Sequence, residues 1–439
     1  MSTSAQKDEP CLAIVGRSIA GLTLARHLRE GGYDSSILSF ESEKCEPYDR
    51  PPLSKELFGN YFHPLAEEGY GSLEDIGARQ IDETVTHIES ITSTFTSAFT
   101  RTEAENSSLT TKIETSAYHS YTAEDAAYTS GILDASTRTN PRWRLTTAEG
   151  HTFEIHTLVL ATGTRPHATI PGARVLYSAS DAETLRSQIG KGSCVHIVGA
   201  GWIGMELASQ CANVGAHVEV WEASPHILGR SFAGAVTDIW QPFLRKAGVK
   251  LHLATPYPGG LNCDVLVQAT GASPTFPLPS HLGIRSARGA VAVDVWGRIL
   301  ADATPLTHSS PICQAIFPGL YAIGDCADTL LPTGTWNEGG HWMSALHGAA
   351  RTATHLLGTE SSLRFLEAPE IFSTQFGHEI GFVGTVEPHA RIEREETEDS
   401  LILRWFTGHT LRGLLAVDAP RALARARKVL RSPLPNQEV

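Results

Sequence analysis

The chain has 439 residues, a formal net charge of −13, 41% hydrophobic and 19% charged residues. That length exceeds one ordinary core and predicts two or three domains of a soluble globular protein. The negative balance disfavours nonspecific nucleic-acid binding, no run of about 18 apolar residues predicts a membrane span, and the polar start MSTSAQKDEP lacks an apolar signal core, so a cytoplasmic location is expected.

Residues 11–15, CLAIV, read as a short buried strand running into Gly16-Arg17-Ser18-Ile19-Ala20-Gly21. This GxSxxG is a variant of the dinucleotide turn GxGxxG. Gly16 permits the tight turn, Gly21 permits close helix–strand packing, and Ser18 is small enough to let backbone approach a pyrophosphate. A helix from Ile19 to about Glu30 would aim its N-terminus at that phosphate and end at Gly31-Gly32. A strand over 36–40 follows. Glu43, with Glu41 as second choice, is the acid expected to bind an adenosine ribose hydroxyl. Next comes EPYDRPPLSK at 46–55. Its prolines fix φ and stiffen the loop. Ser54 is expected to cap a helix over 55–58, and the stiff loop would hold Arg50 and Lys55 at fixed points beside the nucleotide.

The segment 93–140 is rich in Ser, Thr and Ala and reads as an elaborated surface hairpin or a partly disordered insertion, with an edge strand expected over 91–100. Strands are expected at 143–146 and 151–156 around an Ala-Glu-Gly turn. A buried strand at 158–160 then leads into Ala161-Thr162-Gly163, which suits close approach of a flat or charged ligand.

A second unit repeats the pattern. Strand 194–198 runs into a full GxGxxG at Gly199, Gly201 and Gly204, followed by a helix over 205–214 and a strand over 217–221 ending at Glu222. Glu222 lies 23 residues after Gly199, near the usual spacing of about 20. Two such units imply two dinucleotides. A carboxylate at 222 would bind a ribose 2′-hydroxyl and repel a 2′-phosphate, and no basic residue stands at 223 or 224, so NADH is favoured over NADPH.

Strands are expected at 264–271, again ending in Ala-Thr-Gly, and at 290–295, with a polar loop over 301–315. A strand at 319–325 delivers Asp325, a suitable partner for a flavin ribityl chain and phosphate, and a helix is expected over 342–357. From about 369 the pattern turns to antiparallel strands at 383–386, 401–406 and 411–417 and a basic helix over 422–430, a small third domain whose helix reads first as a solvated face and second as a docking face for an acidic protein. Seven cysteines show no C-x2-C or C-x4-C pair, and nineteen histidines show no HExxH, which argues against a dithiol centre, a zinc site or any other metal motif.

GRSIAG, EPYDRPPLSK, LVLATGTRP, GAGWIGMELA, VWEASP and GLYAIGDCAD occur in this order between residues 16 and 328. In this the chain resembles the FAD-dependent NADH:ferredoxin reductases, such as putidaredoxin and rubredoxin reductases and the reductase components of aromatic dioxygenases. The resemblance implies an α/β fold with two Rossmann-like domains of the glutathione-reductase-like type and a small α+β C-terminal domain. The FAD domain would comprise 8–166 and 274–362, the NADH domain 167–273, and the last domain 363–439. It implies that Gly16, Ser18, Gly21, Glu43, Arg50, Lys55, Ala161, Gly163, Asp325 and Trp342 hold FAD, and that Gly199, Gly201, Gly204 and Glu222 hold NADH. It places Lys55 near flavin N5, paired with Glu206, so that a positive charge stabilises the reduced flavin. Hydride would pass from NADH to flavin, and electrons would leave singly to a partner, an acidic 2Fe-2S ferredoxin; the enzyme would be a monomer or dimer. The chain departs from the family around Gly340-His341-Trp342 and at Phe372, where the family often has a tryptophan. Those departures leave a second reading, a stand-alone flavin dehydrogenase or oxidase acting on a small molecule. A partner-binding flavoprotein and a thiol centre at Cys45 are two further readings.

Overall fold

The computed structural model describes residues 11–91, 143–275, 286–287, 289–300, 316–331, 336–387 and 389–434. The expected insertion at 93–140, the polar loop at 301–315 and, beyond Ile91, the edge strand at 91–100 lie outside the described residues.

Around the first glycine turn, five strands run parallel in the order Arg79–Ile81, Ser36–Phe40, Cys11–Val15, Thr157–Leu160, Ile316–Ala322. The three central ones are buried along nearly their whole length because both faces are covered, whereas Arg79 and Gln80 of the edge strand are exposed. Leu12 and Ile14 pack under the helices Ile19–Glu30 and Trp342–Leu356. Ala13 and Val15, pointing the other way, meet Ile88, Trp143, Leu145 and Ile155 of a three-stranded antiparallel sheet. Neighbouring strands Thr157–Leu160 and Ile316–Ala322 are separated in sequence by the whole second unit. The chain leaves and returns through a short antiparallel pair, Thr164–Pro166 with Ala272–Pro274.

The second unit is a four-stranded parallel sheet in the order Lys250–His252, His217–Trp221, Cys194–Val198, Val265–Gln268. The tail forms a five-stranded antiparallel sheet, Glu370–Gln375, His378–Gly384, Thr410–Val417, Leu401–Thr407, Arg391–Glu396. Period-two alternation divides its apolar residues. Val383, Ile402, Leu414 and Ala416 pack under the helix Pro420–Leu430. Phe382, Leu403, Trp405 and Leu415 face the second unit and, with Tyr48, Leu53 and Leu57, share a single core with it. Phe232 sits at the centre of that interface, stacked on Trp405 at 5.5 Å and edge-on to Phe382 at 5.1 Å.

The expected helix over 55–58 is corrected. The helical turn is Pro52–Lys55, and it is started by the prolines themselves. A first-turn proline lacks only an N–H that has no helical partner anyway. Lys55 N–H donates to Pro51 O at 3.2 Å and Glu56 N–H to Pro52 O at 2.8 Å. Ser54 is therefore inside the turn and caps nothing. The second-unit helix likewise starts at Trp202 rather than 205, directly after Gly201.

Candidate functional site

The two glycine turns carry the same hydrogen bonds. Gly16 N–H donates to Phe40 O at 2.9 Å, and Gly199 N–H donates to Trp221 O at 2.8 Å. Both glycines have φ of +110°. A Cβ would stand 2.1 Å from Ala161 O at Gly16 and 2.4 Å from Ala269 O at Gly199, so the approach of the next strand requires glycine. Gly21 and Gly204 seat the helices: a Cβ there would lie 2.1 Å from Gly16 O and 2.0 Å from Gly199 O. Ser18 and Gly201 share an extended backbone, φ −82° and −80°, that any residue adopts. Nothing lies within 4 Å of a Cβ at Gly201. Glycine is not demanded at that point, which is why serine serves in the first turn.

The next amide in each turn donates to a carboxylate. Ala200 N–H donates to Glu222 Oε2 at 2.8 Å, and Arg17 N–H donates to Glu41 Oε2 at 2.9 Å. The position equivalent to Glu222 therefore belongs to Glu41, not to Glu43, the first choice from sequence. Glu43 is taken by Arg50, whose guanidinium lies 2.7 Å from Oε1, and by the Tyr48 hydroxyl, which donates to Oε2 at 2.9 Å. The missed signal was the aromatic–glutamate step ending both strands, Phe40-Glu41 and Trp221-Glu222.

Both turns open on one cleft of about 2250 Å³. Gly16, Ser18, Ala161, Gly163, Arg50, Lys55, Asp325 and Trp342 line it from the first side, and Gly199, Gly201, Glu206 and Glu222 from the second. Gly21, Gly204 and Glu43 are not on its wall. Arg50 is fixed by Glu43, by Tyr177 O at 2.8 Å and by the Tyr48 oxygen at 3.2 Å. Burial pushes the Tyr48 phenol well above its ordinary value. Trp342 Nε1 donates to Asp49 Oδ1 at 2.7 Å, and Phe372 lies edge-on to Trp342 at 6.0 Å. Gly340 N–H donates to Asp325 Oδ1 at 3.1 Å. Burial raises the Asp49 and Asp325 carboxyls and pushes the His341 imidazole on the same wall down to about 4.

Where the two sides meet, Lys55 Nζ lies 2.8 Å from Glu206 Oε1. Glu206 is 2% exposed. A buried carboxylate is costly unless it is paired and hydrogen-bonded. Here it also accepts from the hydroxyls of Ser54 and Ser373. The Lys55 ammonium stands 5.5 Å from the centroid of the Phe372 ring. Ser54 and Ser373 escaped sequence reasoning, because nothing local marks a serine whose partner lies more than 150 residues away.

Cys45 is not on the wall of this cleft. It lines a separate hollow of about 310 Å³ with Arg17, and burial followed by the Glu43 charge pushes its thiol up. A thiolate centre there is disfavoured.

The residues fit two dinucleotides: two turns whose first and last glycines leave no room for a Cβ, two turn-bound carboxylates, and one continuous cleft between them. Residues 11–352 match the family model for pyridine nucleotide-disulphide oxidoreductases. The ferredoxin–NAD(+) reductase subunit of a benzene 1,2-dioxygenase system from Pseudomonas putida is 25% identical over 447 residues, covering 95% of this chain and 92% of the relative. Rhodocoxin reductase from Rhodococcus erythropolis is 25% identical over 454 residues, covering 97% and 90%. Among solved structures, the covalent putidaredoxin reductase–putidaredoxin complex shares the fold with a TM-score of 0.74 at 20% identity, over 97% of this chain and 93% of that one. With the match running through both glycine turns and into the helix Trp342–Leu356, this chain belongs to the pyridine nucleotide-disulphide oxidoreductase family, as an oxidoreductase whose cofactors are FAD and NADH.

Proposed function

We propose that this enzyme moves reducing equivalents from NADH through FAD to a ferredoxin-type iron–sulfur protein that serves a dioxygenase or P450. The observation that carries the reading is the Lys55–Glu206 pair on the wall shared by both dinucleotide turns. FAD, when bound, supplies a ring that accepts a hydride and gives up electrons singly. Gly16, Ser18, Arg50, Ala161, Gly163 and Asp325 hold it, with Glu41 on the ribose and Gly21 seating the helix behind the turn. Gly199, Gly201 and Glu222 hold NADH, with Gly204 seating the helix behind that turn. Lys55 presents a positive charge where negative charge develops, and Glu206 keeps that charge in place. Trp342 and Phe372 exclude water from the meeting point. The same reading takes 8–166 with 274–362, 167–273 and 363–439 as the domains, and a cytoplasmic setting. It takes an acidic 2Fe-2S ferredoxin as partner, drawn to the exposed Arg421, Arg425 and Lys428 of the last helix.

Anaerobic stopped-flow mixing of the yellow protein with NADH tests this. Rapid bleaching that reverses only when a ferredoxin is added is the expected outcome. Lys55→Ala should slow bleaching by about tenfold or more. An unchanged rate in that variant would remove the lysine from the mechanism. The second reading, direct action on a small molecule, rests on Phe372, which is 39% exposed where the family often has a tryptophan. It would be favoured if NADH left the flavin oxidised while a small-molecule donor bleached it.

A further inference from the structure

Glu206 is the end of a longer chain of hydrogen bonds. The Trp240 indole N–H, which can only donate, donates to Gln375 Oε1 at 2.6 Å. That contact fixes the orientation of the Gln375 amide, whose NH2 donates to Ser373 Oγ at 2.9 Å. Ser373 is thereby engaged as an acceptor and turns its own proton onto Glu206 Oε1. Trp240 and Gln375 are 0% exposed, Ser373 3% and Glu206 2%. Reversing any link would set two donors or two acceptors against each other in a dry interior, where unmade hydrogen bonds are expensive. The sequence of donors therefore runs one way, from an indole with no alternative to a carboxyl that must accept.

We propose that Trp240, Gln375 and Ser373 form a one-way hydrogen-bond relay that fixes the orientation of the Glu206 carboxylate and so holds the Lys55 ammonium at the cleft, making these three the positioning residues of the hydride-transfer site. The inference rests on the reading of Lys55 given above. It joins four elements: Trp240 stands on the helix Thr237–Lys246, Ser373 and Gln375 on the strand Glu370–Gln375, Glu206 on the helix Trp202–Asn213, and Lys55 on the turn Pro52–Lys55. Two flanking bonds fix the register of these parts. Phe376 N–H donates to Ser209 Oγ at 2.7 Å, and Gln210 Nε2 donates to Lys55 O. The C-terminal sheet thus reaches the Lys55–Glu206 pair through Ser373.

The test uses the FAD-loaded enzyme and four variants: Ser373→Ala, Trp240→Phe, Ser373→Thr and Lys55→Ala. The flavin midpoint potential is measured by anaerobic dye equilibration, and the limiting rate of flavin reduction and the apparent NADH dissociation constant by stopped flow. Ser373→Ala and Trp240→Phe should each shift the potential to more negative values and lower the limiting rate about tenfold, with NADH binding changed less than about twofold. Ser373→Thr keeps the hydroxyl and should restore both. Unchanged potential and rate in loaded Ser373→Ala and Trp240→Phe, with Lys55→Ala still slow, would overturn the relay alone. A threonine variant no better than alanine would also overturn it. A silent Lys55→Ala would instead overturn the function on which the relay rests. Should Trp240→Phe fail to fold, Gln375→Met cuts the same link at similar volume and carries the same expectation.

Discussion

Glu41 and Glu43 stand two residues apart after the same strand, and geometry separates their work. Glu41 Oε2 accepts from the Arg17 amide, and Oε1 accepts from Ser42 N–H at 2.7 Å and Glu43 N–H at 3.2 Å. The backbone thus clamps the carboxylate at the mouth of the turn, beside the cleft. Glu43 is clamped by side chains instead and neutralises Arg50. Glu41→Ala should weaken FAD binding about tenfold, the worth of a hydrogen bond to a charged group. Glu43→Gln should retain FAD more fully and act through Arg50. Flavin fluorescence released on dilution of each variant decides between them, and greater release from Glu43→Gln would return the ribose to Glu43.

The short helix Gly229–Phe232 shows how one side chain fixes an element. Leu228 and Ala233, at its two ends, have φ of 51° and 47°, a left-handed conformation costly for residues with a Cβ. Phe232 offsets that strain by filling the space between Trp405 and Phe382. Phe232→Ala should cost about 3–5 kcal/mol and lower the thermal midpoint by roughly 3–5 °C, measured by calorimetry. A loss under about 1 kcal/mol would show that the sheet relaxes into the space. Elements of this kind differ in how plainly the sequence declares them. The helix Ile19–Glu30 and the strand Ser36–Phe40 are bounded by glycines and apolar runs, and they stand where periodicity puts them. The strand Arg391–Glu396 was invisible, because RIEREE is exposed on both faces at a sheet edge and has no apolar period to read. The glycine turns were legible because sterics leave glycine no substitute at Gly16 and Gly199. The relay through Ser373 and Gln375 was not, since its partners come together only once three sheets have packed.

At the scale of the whole molecule, one buried histidine, His355, and two half-buried ones, His341 and His347, predict the response to acid. His341 precedes the helix Trp342–Leu356, and His347 and His355 lie on it. Burial lowers all three below the ordinary value of 6.5, His341 to about 4. Between pH 6.5 and about 4 the unfolded chain therefore binds more protons than the folded one at these positions, and stability falls as pH falls. Asp49 and Asp325 act in the opposite sense. Burial raises their carboxyls above 3.8, so the folded form takes up protons first and is favoured by acid. They oppose the histidines and make the fall shallower. The thermal midpoint of the FAD-loaded enzyme should accordingly drop between pH 7 and pH 5, well before bulk carboxylate protonation. His341→Gln removes the most strongly shifted of the three groups and should flatten that drop. Differential scanning fluorimetry of both proteins at half-unit pH steps gives the slopes directly. Parallel curves for the two proteins would assign the acid sensitivity to His347 and His355, deeper along the same helix.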